Sequence, residues 1–133
     1  MTEVIVGSRG SGKTLELIKK SANDGVYILT IGRRQAEKLF NLAQSMGYTI
    51  PYPVTVEDFS RSGGFRGSVI RKTGLYIDDI DDIIKVLLFS IDIKGVTFTS
   101  DKVTDLNSNQ LRSKQNSYLK NFDDREESGL LEE

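Results

Sequence analysis

The chain has 133 residues, 38% hydrophobic and 28% charged, enough for one soluble globular domain with a core. It contains no cysteine and no histidine, which excludes disulfides, Cys/His zinc sites and catalysis by either side chain. The net charge of −1 hides an asymmetry: residues 123–133 hold six acids and one base, and residues 1–122 hold 17 bases and 13 acids, a net of +4. Any metal must therefore be held by oxygen ligands and phosphate, which suits Mg²⁺. No apolar run approaches the ~20 residues of a membrane span. A strand is expected almost from the first residue, so no signal peptide is expected. These features predict a protein of the cytoplasm, of a cell or of an infected host, without membrane partners.

A first strand is predicted near residues 2–6, carried by Val4-Ile5-Val6. Residues 7–14 then read Gly-Ser-Arg-Gly-Ser-Gly-Lys-Thr, a full G-x-x-x-x-G-K-[ST] phosphate-binding pattern. A helix is predicted from about 13 to 22. The order strand, glycine-rich turn, helix N-terminus is the context that motif requires. Gly7, Gly10 and Gly12 free the backbone to wrap a phosphate, with the N–H groups of Ser8, Arg9 and Ser11 available beside them. The helix N-terminus adds unpaired donors and a favourable dipole. Lys13 is the residue that reaches the β and γ phosphates, and the Thr14 hydroxyl is a ligand for Mg²⁺. ATP with Mg²⁺ is the expected cofactor.

Asn23-Asp24-Gly25 should stop the first helix. Residues 26–31 are a continuous apolar, β-branched run, the mark of a buried parallel strand. Ala36, Leu39, Phe40, Ala43 and Met46 mark one face of a second helix, with Gly47 as its C-terminal cap. Residues 48–54 read as extended because each proline disfavours helix at the residue before it. Thr55 is placed to cap a short helix. Residues 60–74 hold four glycines, Arg61, Arg66, Arg71 and Lys72, and no acid. This segment reads as an exposed basic loop, with a short strand over 68–70. Phe65 lies within it as a candidate stacking ring, so Arg61, Phe65, Arg66, Arg71 and Lys72 are candidate contacts to single-stranded DNA or another nucleic acid.

Leu75-Tyr76-Ile77 runs into Asp78-Asp79. Ile80, Ile83, Ile84, Leu87 and Leu88 then form one helical stripe, and residues 95–99 read as a further strand. Residues 106–122 form a polar segment with a helix expected near 109–122, on Leu111, Tyr118, Leu119 and Phe122. Residues 123–133 are expected to be a disordered acidic tail. The alternation of strands and helices over residues 1–105 predicts an α/β fold with a small, mainly parallel sheet and ligands at the carboxyl ends of its strands.

An apolar strand delivering a carboxylate, after a complete phosphate loop, resembles the second nucleotide motif of P-loop NTPases. Residues 2–100 resemble the RecA/AAA-like division of those proteins, which implies a three-layer P-loop fold. The resemblance implies that Asp78 assists Mg²⁺ binding and that Asp79 polarises the attacking water, although the family's usual residue at the second place is Glu. It also implies a polar sensor at the end of the next strand, where Thr99 or Ser100 stands. Residues 28–37 are similar to the junction that touches the DNA backbone in helicase motor domains. The brevity of the chain resembles minimal ATP-binding proteins of tailed phages, which implies a role in replication or recombination. The leading expectation is a slow Mg²⁺-dependent ATPase acting on nucleic acid, in which Lys13 and Asp79 are catalytic. An arginine finger would come from a second copy or a partner protein, with Arg33, Arg34, Arg61, Arg66 and Arg71 as candidates. The alternatives are a small-molecule or nucleoside kinase, and a partner protein that binds nucleotide without hydrolysing it.

Overall fold

The computed structural model describes residues 2–107. The helix expected near 109–122 and the acidic tail lie outside the described residues. The fold is α/β, and every strand pairing among the described residues is parallel. The described residues divide into two compact units, residues 2–13 with 99–107, and residues 14–98.

In the first unit β1 (Val4–Val6) pairs in parallel with β5 (Val103–Asp105). The register sets Val4 beside Val103 and Val6 beside Asp105, so both strands end at the same level. Helix α1 (Lys13–Asp24) begins at Lys13 of this unit and continues in the second. It buries Leu17, Ile18 and Ser21, one side of the helix. The buried Ser21 hydroxyl donates to the Val26 carbonyl at 2.7 Å, which satisfies it at the turn where Asn23-Asp24-Gly25 ends the helix.

The second unit is built on a three-stranded sheet with β2 (Ile28–Thr30) between β3 (Val54–Thr55) and β4 (Tyr76–Ile77). All three β2 residues are buried, as the continuous apolar run predicts for a central parallel strand. Helix α2 (Arg33–Ser45) lies against β2 and β3 and buries Ala36, Leu39 and Ala43. It ends in a Schellman motif: the Tyr48 N–H donates to the Ala43 carbonyl at 2.9 Å and the Gly47 N–H to that of Gln44 at 3.0 Å. Gly47 has φ +84, the left-handed conformation this motif demands. Met46, expected on the buried face, is exposed at the cap.

Thr55 caps α3 (Val56–Arg61) as its position predicts. Its hydroxyl accepts from the Asp58 N–H at 3.1 Å, and the Asp58 carboxylate accepts from the Thr55 N–H at 2.9 Å, a full capping box. The basic segment that follows contains no strand. It folds through turns into a short helix, α4 (Ile70–Thr73). Phe65 and Ile70 are buried within it, and with Leu29 of β2 and Ile83 they form a core cluster flanked by Val54 and Leu75.

Helix α5 (Ile80–Leu87) follows Asp78-Asp79. Its apolar stripe is mostly uncovered: Ile83 is buried, whereas Ile80, Leu87 and Leu88 are exposed. Residues 95–99, expected as a strand, take no regular secondary structure. A β-branched run becomes a strand only where a neighbour pairs with it, and the strand that forms is β5, beside β1.

Candidate functional site

The phosphate-loop sequence links β1 to α1, the context its pattern requires. Gly10 and Gly12 have φ of +81 and +99, a region that side chains disfavour. Gly7 is needed for a different reason. A Cβ there would lie 2.1 Å from the Ser11 Oγ and 3.4 Å from the Leu106 Cβ, so the loop closes tightly at its start. The Ser11 N–H donates to the Ser8 carbonyl at 3.0 Å, closing a turn within the loop. The Ser11 hydroxyl is buried and makes no hydrogen bond among the described residues.

The Lys13 ammonium donates to the carbonyls of Gly7 at 2.9 Å and Ser8 at 3.0 Å. Its charge is thereby held on the loop, on a half-buried side chain. Ser8 is tied at its other groups: its N–H and its hydroxyl each donate to the Asn107 Oδ1 at 3.0 Å. Asn107 stands just past β5, in a run of Asn, Ser and Gln with no period that would single it out in the sequence.

In the second unit, Thr14 is the residue after Lys13, in the first turn of α1. Its hydroxyl donates to the Asp78 Oδ1 at 3.2 Å. Asp78 stands at the carboxyl end of β4, and its N–H donates to the Leu29 carbonyl at 3.1 Å, which carries the strand pairing one residue further. The hydroxyl and the carboxylate are thus fixed side by side by two elements 64 residues apart in sequence. Both are hard oxygen donors of the kind Mg²⁺ takes, and neighbouring ligands on one octahedral ion sit about 3 Å apart. No group of three or more His, Cys, Asp or Glu able to hold a metal occurs among the described residues.

Asp79 is exposed and adopts φ 58, ψ 61 at the N-cap of α5, with no side-chain cap bond to the helix. Aspartate tolerates this left-handed conformation better than most residues.

Two expectations need correction. Phe65 is no exposed stacking ring: it is 6% accessible and packs edge-on to Phe59 at 5.5 Å. Ser100 is no sensor at the loop. Its hydroxyl donates to the Thr2 carbonyl, two residues before β1, whereas the loop begins at that strand's end. Five extended residues separate those levels, about 16 Å, and Thr99 precedes Ser100 at the same end. Of the basic residues, Arg61 is paired with Glu57 at 2.9 Å across one helical turn. Arg66, Arg71 and Lys72 are exposed. Arg33 and Arg34, in the first turn of α2, are exposed as well.

No family model matches the chain, and no curated protein or solved structure matches it.

Proposed function

We propose that this protein is a P-loop NTPase that binds ATP as its Mg²⁺ complex and hydrolyses it slowly in nucleic-acid metabolism. The observation that carries the reading is the Thr14–Asp78 hydrogen bond. It joins the last residue of the phosphate-loop pattern to the first acid of the second motif, the two side chains such a site needs next to each other. The loop over residues 7–12 would wrap the phosphates while Asn107 holds the Ser8 N–H, and Lys13 would offset their charge. Thr14 and Asp78 would hold the Mg²⁺, which supplies charge neutralisation at the β and γ oxygens. Asp79 would orient the attacking water and take its proton. Arg33, Arg34, Arg66 and Arg71 remain candidates for an arginine finger supplied to a second copy.

The nucleic-acid part of the proposal rests on charge. Arg66, Arg71 and Lys72 project from a segment whose buried anchors, Phe65 and Ile70, hold it against the sheet of the second unit. An anchored cationic segment neutralises phosphates without ordering a free loop first.

Phosphate release from Mg·ATP, measured with and without single-stranded DNA, tests the function. Free phosphate, accelerated by DNA, is expected. Phosphate transferred to an added acceptor would make the protein a kinase. Binding without turnover in either condition would make it a nucleotide-dependent partner protein.

A further inference from the structure

We infer that Asn107 is a positioning residue of the phosphate loop, which pins Ser8 and through the Gly7 and Ser8 carbonyls sets where the Lys13 ammonium sits. The inference rests on the nucleotide reading above.

Two consecutive residues past the end of β5 meet two consecutive residues past the end of β1. Leu106 lies against Gly7, at 3.4 Å from the position of a Cβ there. Asn107 takes both donors of Ser8 on one oxygen, each at 3.0 Å. The parallel register, Val6 beside Asp105, is what brings these chain ends to one level. Asn107 is itself oriented, because its N–H donates to the Asp105 Oδ1 at 3.0 Å in an Asx turn. A backbone N–H can only donate, so the Asn107 atom facing Ser8 must be the amide oxygen.

Lys13 donates to the carbonyls of Gly7 and Ser8, the same two residues that β5's extension holds. Fixing those carbonyls fixes the anchor points of the cation. A loop ordered before the nucleotide arrives does not have to be ordered by it, and that difference appears as affinity. Asn107 has no contact with phosphate in this scheme. It acts through Ser8 and Lys13.

The test uses the full chain and Mg·ATP. Asn107→Ala removes both bonds and is expected to weaken Mg·ATP binding about tenfold, the effect of two modest hydrogen bonds on loop order. It should also accelerate hydrogen exchange of the Ser8 amide. Asn107→Asp keeps an acceptor in place and should retain slow exchange at Ser8, a rescue that mere loss of packing would not show. Should Asn107→Ala fail to fold, Ser8→Ala carries the test: it removes the hydroxyl bond alone, and about a threefold loss of affinity is expected. Unchanged affinity in Asn107→Ala, or in Ser8→Ala where that variant carries the test, overturns the inference and leaves the nucleotide reading standing. Fast Ser8 exchange in Asn107→Asp also overturns it. A wild-type chain that binds no Mg·ATP overturns both.

Discussion

Asp78 and Asp79 are adjacent in sequence and different in circumstance. Asp78 faces the Thr14 hydroxyl, while Asp79 is exposed on a left-handed turn at the head of α5. Their roles should separate accordingly. Asn shares the tolerance of Asp for that turn, so Asp79→Asn keeps the backbone and removes the base. It is expected to leave Mg·ATP affinity unchanged and abolish most phosphate release in a single-turnover assay. Release at the wild-type rate would transfer the base to another group. The tight turn between β1 and α1 was legible in the sequence because Gly10 and Gly12 stand where φ is positive. Asn107 was not legible, because its partner Ser8 lies 99 residues away and only the β1–β5 register joins them. Ser100 was misplaced for the related reason that the run before it formed no strand.

At the level of elements, local chemistry gave reliable punctuation. Thr55 capped α3 and Gly47 closed α2 because each cap involves residues within a few positions of one another. Thr55→Ala is expected to cost about 1 kcal/mol in denaturant unfolding, with nucleotide affinity unaltered. The basic segment shows where local reading stops. Four glycines and four cations in residues 60–74 describe an exposed loop, yet Phe65 and Ile70 turn inward to cover Leu29 and Ile83. Side-chain burial there is decided by the sheet beneath, which the segment's own composition does not encode. Phe65 has φ 60, so alanine at the position inherits the same strained backbone and the substitution reports packing alone. Phe65→Ala should destabilise by about 3 kcal/mol in the same measurement. A change below about 0.5 kcal/mol, the range of a neutral surface substitution, would mean that the ring is not part of the core.

The whole molecule combines a basic body with an acidic end, and its proposed partners, a nucleotide and a nucleic acid, are both polyanions. Binding of labelled single-stranded DNA should therefore weaken steeply with salt as counterions are released. Replacing Arg66, Arg71 and Lys72 together is expected to flatten that dependence. Arg61 should matter less, because Glu57 already neutralises it. A slope unchanged by the triple replacement would move the nucleic-acid surface elsewhere. The α/β alternation was legible from residue patterns, and so was the parallel pairing, since β-α-β connections favour it. The exposed stripe of α5 was not, because an apolar period identifies a face and leaves open what covers it. The central claim is that residues 7–14 bind the phosphates of Mg·ATP. Calorimetric titration of Mg·ATP into the wild-type chain and into Lys13→Ala tests it most directly. Measurable binding by the wild type is expected, with a loss of at least ~1.5 kcal/mol in the variant, the low end for a charge-assisted contact, at an unchanged melting temperature. Equal affinity in a folded Lys13→Ala protein would contradict it.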